Sequence, residues 1–133
     1  VGYKIFDDIR KEFPDRSINT GAAEQALVDI AIGLALNGKV PVVYSMTPFL
    51  LYRPFESLRN YLNHENIGVK LVGSGRDKDY LHDGISHWCE EAKQVLALFP
   101  KIESYWPENS KQLEKNMKKF FKPGPPAYLS LCR

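Results

Sequence analysis

Short apolar segments alternate with helical patterns along this sequence, and the alternation limits the folds that the chain can adopt. A strand covered by helices on both faces carries an almost continuous apolar run, so short apolar segments predict buried strands. The predicted strands are residues 16–19, 40–44, 69–72, 102–105 and 127–131. The helical patterns between them are residues 22–36, 54–64, 90–98 and 110–121. This order predicts an α/β fold with three layers, in which a mostly parallel sheet lies between helices.

The composition is that of one globular domain, residues 1–133. A chain of 133 residues with 44% hydrophobic content has enough apolar side chains for a single packed core. The 18 basic and 16 acidic residues are mixed along the chain, apart from lysines at helical spacing within residues 111–122, which predict a solvated helix face. A dedicated nucleic-acid-binding function is therefore not expected.

The two cysteines, Cys89 and Cys132, form no CxxC pair and no Cys/His cluster with zinc spacing. This usage predicts a reducing, cytoplasmic setting without structural zinc. The apolar runs are shorter than the roughly 18 residues that a membrane-spanning helix needs, and residues 1–4 do not have the form of a signal peptide. We therefore expect a soluble protein that does not associate with membranes.

The helix predicted over residues 22–36 is apolar around nearly its whole circumference. A helix on the surface of a monomer would show a polar stripe, so this helix is either packed on all sides or part of a subunit interface. In a domain of this size we favour the interface. Glu24 lies at the start of the helix, where water is scarce, and a carboxylate there needs a partner. Burial would raise its pKa and a specific partner would tune it.

Aromatic residues recur every three positions after the second predicted strand, at Phe49, Tyr52 and Phe55. They lie at a strand-to-helix turn, and such turns at the carboxyl ends of parallel strands are where open sheets bind ligands. A flat heteroaromatic ring stacked on one of them would gain about 0.5–1.5 kcal/mol beyond burial. On the spacing alone, packing in the core is the favoured interpretation.

A turn with two glycines, residues 73–77, follows the third predicted strand and leads towards His87. A glycine-containing turn can approach a phosphate, but the longer fingerprint of a nucleotide site is absent. His87 could act as an acid, a base or a hydrogen-bond donor, although a histidine on a loop more often has no such role. No serine stands in a nucleophile elbow, so hydrolase chemistry is not expected.

Five segments in this order resemble the pyrimidine-binding domain of transketolases and deoxyxylulose-phosphate synthases. The first three are residues 13–16, 19–25 and 31–35. Residues 42–49 resemble the strand that leads to the aromatic residue packed on the cofactor pyrimidine, and residues 83–87 resemble the family's DG-x-T-H loop. The resemblance covers nearly the whole chain and implies the thiamine diphosphate-binding fold of the pyrimidine domain.

The resemblance also implies a role for each candidate site residue. Glu24 would be the catalytic glutamate that bonds the pyrimidine nitrogen N1′ of thiamine diphosphate and promotes proton transfer. Phe49 would stack on the aminopyrimidine, and Tyr52 and Phe55 would complete its pocket. His87 would hydrogen-bond the donor sugar or the enamine intermediate as a catalytic and substrate-binding residue.

The resemblance leaves the type of enzyme open. Arg76 falls where deoxyxylulose-phosphate synthases carry a phosphate-binding arginine, whereas the spacing of Phe49, Tyr52 and Phe55 is that of transketolases. Gly75 stands where transketolases have a histidine. The reaction implied in either case is two-carbon ketol transfer, or a related carboligation, on sugar phosphates.

Two departures from the family concern what this chain would need from a partner. Family domains have a strand ahead of the segment matched by residues 2–6, so we expect the first strand to be absent or supplied from elsewhere. The sequence also lacks the GDG-to-Asn signature that holds magnesium and diphosphate, so this chain is not expected to bind the metal. We therefore expect a truncated or split enzyme that shares its site with a diphosphate-binding partner in a homo- or hetero-oligomer. The alternative is a noncatalytic assembly module that retains the fold.

Overall fold

The computed structural model describes residues 4–133, so the first residues of the segment matched to the family at the N-terminus lie outside the described residues. Within that range four strands form one sheet: β1 (Val42–Met46), β2 (Lys70–Ser74), β3 (Glu103–Tyr105) and β4 (Ala127–Leu131). The strands are all parallel and lie in the order β1-β2-β4-β3. The four strands predicted from residue 40 onwards are confirmed.

Six α-helices accompany the sheet: α1 (Asp7–Glu12), α2 (Glu24–Leu36), α3 (Thr47–Tyr52), α4 (Phe55–Ser57), α5 (Ala92–Ala97) and α6 (Ser110–Phe120) in the described part of the chain. α1 and α2 precede β1, and the other helices connect the strands, as a parallel sheet requires. α4 continues as a π-helical segment, Leu58–His64, and 3₁₀ turns lie at Lys4–Phe6, Pro14–Arg16, Leu81–Asp83 and Ile85–His87. Among residues 4–133, no helix is long and apolar enough to cross a membrane.

The two faces of the sheet carry separate cores. One face presents Val43, Leu71 and Tyr128 in neighbouring register and packs against α2, α3, α5 and the π-helical segment. The other face presents Val72 and Leu129, which pack against α6. The predicted three-layer α/β arrangement is therefore confirmed.

The strand predicted at residues 16–19 is wrong. Pro14 opens a 3₁₀ turn that runs to Arg16, because proline fixes φ and has no N–H to give to a sheet. Ile18 is 56% exposed, and the Asn19 side chain accepts a hydrogen bond from the Gly21 N–H at 3.0 Å. This local turn leads the chain directly to Glu24, the first residue of α2.

α2 buries one side and leaves the other exposed. Val28, Ala31 and Ile32 are buried against the sheet, whereas Ile30 is 41% exposed and Leu36 69% exposed. The alternative of a helix packed on all sides is therefore wrong for the described chain. The exposed side carries the apolar residues Ile30 and Leu36 beside the polar residues Gln25 and Asp29, which leaves the interface interpretation open for this helix.

Candidate functional site

The predicted site residues lie on segments that meet where the parallel strands end. β1 passes without a loop into α3, which carries Phe49, and β2 leads through the 3₁₀ turns to His87. Glu24 begins α2, which packs beside β1. Pro48 occupies an early position of α3, where its missing N–H leaves no hydrogen bond unmade. These connections bring residues far apart in sequence to one edge of the sheet.

A buried polar cluster fixes the geometry of this edge. Thr47 Oγ1 donates to the Gly75 carbonyl at 2.7 Å and lies 3.1 Å from the Tyr128 hydroxyl. Gly73 admits the tyrosine, because a Cβ there would lie 2.3 Å from the Tyr128 hydroxyl oxygen. Burial raises the pKa of Tyr128 to about 12, so it stays neutral. The ends of β1, β2 and β4 are therefore joined by hydroxyl groups that the sequence analysis did not identify.

Glu24 is buried and has two partners. It is 5% exposed, and its Oε1 accepts a hydrogen bond from Ser45 Oγ at 2.9 Å. Its Oε2 forms an ion pair with Arg53 Nη1. Burial of the carboxyl raises its pKa, but the hydrogen bonds from Arg53 and Ser45, together with the arginine charge, lower it more. The net pKa of Glu24 lies below its usual value, which is opposite to the rise expected from burial alone.

Arg53 connects Glu24 to Phe49. The guanidinium carbon lies 4.0 Å from the centroid of the Phe49 ring, a cation–π distance. The guanidinium thus lies over the aromatic ring while it donates to the carboxylate. His87 completes the row, since its ring stands edge-on to Phe49 at a centroid distance of 5.0 Å. Its Nδ1 is 2.9 Å from Ser86 Oγ. Glu24, Phe49 and His87 are therefore brought together.

The two other aromatic candidates make contacts elsewhere. The Tyr52 hydroxyl donates to the Glu91 carboxylate and lies 3.6 Å from Cys89 Sγ. Burial and the Glu91 hydrogen bond raise the pKa of Tyr52. Phe55 packs on Phe99 at a centroid distance of 5.1 Å and belongs to the edge of the core. Both side chains contact the residues around α5 in this structure.

Arg76 is held at the end of β4. Its Nε donates to Ser130 Oγ at 2.9 Å, and its Nη2 donates to the carbonyls of Pro107 at 2.7 Å and Ser130 at 2.9 Å. The guanidinium also lies 5.8 Å from the Trp106 ring centroid. The structure therefore places Arg76 in a network separate from the ion pair of Glu24.

Arg53 is the site residue that sequence reasoning missed, although a signal for it was present. It is the one charged residue between positions 40 and 55, in a segment that is otherwise apolar or uncharged. It also follows Phe49 by four positions, which places the two side chains on the same side of a helical turn. A single charge there, next to a predicted buried carboxylate, indicates an ion pair.

The family model for the pyrimidine-binding domain of transketolase matches residues 4–133. The chain belongs to the transketolase pyrimidine-binding domain family. Among curated relatives, this transketolase domain is 38% identical over 99 residues to one subunit of the apulose-4-phosphate transketolase of Actinobacillus succinogenes, covering 74% of the chain and 32% of that protein. It is 28% identical over 123 residues to the 6-deoxy-6-sulfo-D-fructose transketolase subunit SqwH of a Clostridium species, covering 92% of the chain and 38% of that protein.

A solved structure agrees with this assignment. It is described as a split gene transketolase in the form of an inactive beta4 tetramer, and it matches with a TM-score of 0.82 and 29% identity. The alignment covers 98% of this chain and 41% of that chain. The chain thus has the fold of a transketolase pyrimidine-binding domain and spans about a third of the length of the two curated relatives.

The space between Glu24 and Phe49 fits a planar group that donates hydrogen bonds. The Arg53 guanidinium shows this fit, because it is a flat group that lies over the ring and donates a hydrogen bond to the carboxylate. An aminopyrimidine is also flat and, when its ring nitrogen is protonated, donates to a carboxylate. The residues present in this transketolase domain are therefore chemically suited to the pyrimidine of thiamine diphosphate.

Proposed function

We propose that this chain is the pyrimidine-binding half of a transketolase-like thiamine diphosphate enzyme that performs two-carbon ketol transfer, or a related carboligation, on sugar phosphates. The observation that carries the proposal is that one side chain, Arg53, bridges a buried carboxylate, Glu24, and the face of Phe49 at the carboxyl edge of a parallel sheet. The family match and the names of the relatives, which are transketolase subunits, support it. A diphosphate-binding partner domain or chain would bind the magnesium and complete the site.

Each residue of the row has a distinct task in this proposal. Glu24 holds or releases a proton at the pyrimidine nitrogen N1′, and its buried setting strengthens that hydrogen bond. Phe49 orients the ring by stacking. His87 lies beside Phe49 and donates a hydrogen bond to a sugar oxygen. Thiamine diphosphate, when bound, supplies the carbon centre that accepts the ketol unit.

Tyr52, Phe55 and Arg76 have indirect roles in the pocket in this proposal. Tyr52 and Phe55 brace α3 and α4 against Cys89 and Phe99, which fixes the position of Phe49. Arg76 orders the end of β4 through Ser130. Because these internal bonds use Nε and Nη2, a substrate phosphate would bind Arg76 through Nη1.

A calorimetric titration tests the proposal. Thiamine diphosphate with magnesium is added to the chain copurified with its native partners, and separately to the isolated chain. We expect binding in the copurified complex, its loss in a Phe49→Ala complex and no binding to the isolated chain. An absence of binding in both wild-type samples would refute the proposal.

A noncatalytic assembly module is the second candidate function. The exposed apolar residues of α2, Ile30 and Leu36, support it, as does the solved relative described as an inactive tetramer. This alternative predicts that His87→Ala and Phe49→Leu leave the cellular function intact. Loss of function in either variant, with assembly preserved, would exclude it.

A further inference from the structure

The Arg53 guanidinium makes the two contacts that the proposed function assigns to the aminopyrimidine. It bonds the Glu24 carboxylate and lies 4.0 Å from the Phe49 ring centroid. We call the residues on which it rests, Glu24, Ser45 and Phe49, the ring subsite. Two planar groups cannot occupy the same position between one carboxylate and one ring face, so a pyrimidine and this arginine rotamer exclude each other.

The two members of the ion pair differ in their freedom to move. The Glu24 side chain is 7% exposed, whereas the Arg53 side chain is 44% exposed. Glu24 is also held by Ser45, and its backbone belongs to α2. Arg53 directly follows α3 and precedes Pro54, so its backbone is restrained while its long side chain has a path to solvent. Rotation of the arginine side chain alone would therefore open the ring subsite.

We propose that Arg53 is a displaceable occupant of the ring subsite, which holds Glu24 in position in the free protein and swings out when a flat, amine-bearing ring binds. The inference rests on the proposed function for the identity of that ring. It assigns Arg53 a positioning role, since the arginine acts on the ligand through Glu24. When the arginine occupies the subsite, the apparent affinity for the ring equals the intrinsic affinity multiplied by the fraction of molecules in which the subsite is open.

Affinity measurements on the copurified complex test the competition. Thiamine diphosphate with magnesium is titrated into the wild type, Arg53→Met and Arg53→Ala, with Arg16→Ala as the control. Arg16 also lies over a phenylalanine, at 5.7 Å from the Phe13 ring centroid. We expect about tenfold tighter binding in both Arg53 variants and no change in the control. Unchanged or weaker binding in a folded Arg53 variant would overturn the inference.

A second measurement follows the arginine directly and separates the two proposals. The Nε–Hε resonance of Arg53 is recorded in arginine-labelled complex and assigned with Arg53→Lys. Thiamine diphosphate is one probe, and millimolar thiamine, which lacks the diphosphate, is the other. Movement of the Arg53 resonance towards that of a free arginine on thiamine diphosphate binding supports both proposals.

The other outcomes distinguish the proposed function from the inference about Arg53. If thiamine diphosphate binds but the resonance stays in place, the inference is overturned while the proposed function stands. If thiamine diphosphate does not bind but thiamine moves the resonance, the proposed function fails and the displaceable arginine stands. If neither probe binds or moves the resonance, both proposals fail.

Discussion

Arg53 and Glu24 determine each other's chemistry at the scale of single residues. The guanidinium helps to keep the buried carboxyl ionised: burial raises the pKa of Glu24, but the hydrogen bond and charge of Arg53, together with the Ser45 and backbone hydrogen bonds, lower it more. Replacing Arg53 with Met removes both while keeping an unbranched side chain. We expect the Glu24 pKa to rise above its wild-type value, measured by a carboxyl ¹³C titration. An unchanged Glu24 pKa in a folded variant would show that the ion pair does not form.

The depressed pKa of Glu24 also links this residue to stability. Its folded pKa lies below the unfolded value of 4.5, so its ionised form contributes stability at higher pH. That contribution is complete above pH 4.5 and is lost as the pH falls through the folded pKa. We expect the difference in free energy of unfolding between the wild type and Glu24→Gln to shrink over this acidic range. A constant difference would contradict the linkage.

Proton transfer is the catalytic role proposed for Glu24. The variant Glu24→Gln keeps the shape of the side chain but cannot exchange a proton. In the assembled enzyme we expect its turnover to fall by about 10² to 10⁴. Glu56→Gln, an exposed carboxylate on α4, is the control for the same change of residue type and should retain wild-type turnover. A Glu24→Gln complex with wild-type turnover would remove Glu24 from the catalytic role.

At the scale of elements, the hydroxyl cluster that joins the strand ends explains why the edge of the sheet is fixed. Thr47→Val has nearly the same shape but leaves the Gly75 carbonyl and the Tyr128 hydroxyl without this partner. We expect a loss of about 1–3 kcal/mol in the free energy of unfolding, measured in urea. Thr47→Ser, which retains the hydroxyl, should lose less. Equal stability of the Val variant and the wild type would refute this role.

Hydrophobic periodicity predicted the strands and helices correctly where burial determines the structure. The central strands β2 and β4 are buried along nearly their whole length, so their sequence reflects their position, whereas the outer strands β1 and β3 are only partly buried. The false strand at residues 16–19 contains a single large apolar residue, Ile18, and the turn set by Pro14 overrode its β propensity.

The candidate site was only partly predictable, because some of its contacts depend on tertiary packing. Glu24 stands out by local contrast, but the contact of Arg53 with both Glu24 and Phe49 depends on how α2 and α3 pack.

The whole molecule presents a partly apolar surface on α2 opposite to the side that packs on the sheet. Ile30 and Leu36 are exposed there, next to the small residues Ala26 and Gly33 and the polar residues Gln25 and Asp29. Exposed apolar patches on a helix are typical of interfaces, and small residues let a second helix approach closely. A site that needs a partner domain requires such a surface. We therefore expect α2 to form part of the contact that assembles the enzyme.

Ile30→Asp places a charge in this contact without touching the core or the ring subsite. An unpaired carboxylate buried at an interface costs about 2–5 kcal/mol, so the dissociation constant of the assembly should rise at least about thirtyfold.

Met117→Asp on α6 is the matched control, since Met117 is 39% exposed and Ile30 is 41% exposed, on opposite layers of the fold. Light scattering across a dilution series measures the dissociation constant of the assembly for both variants, and circular dichroism checks that each variant is folded. Dissociation of the Met117 variant alone would place the interface on α6, and intact assembly of the Ile30 variant would exclude α2. Because the proposed site is shared between chains, dissociation of the Ile30 variant should abolish thiamine diphosphate binding although Glu24, Phe49 and His87 are unchanged.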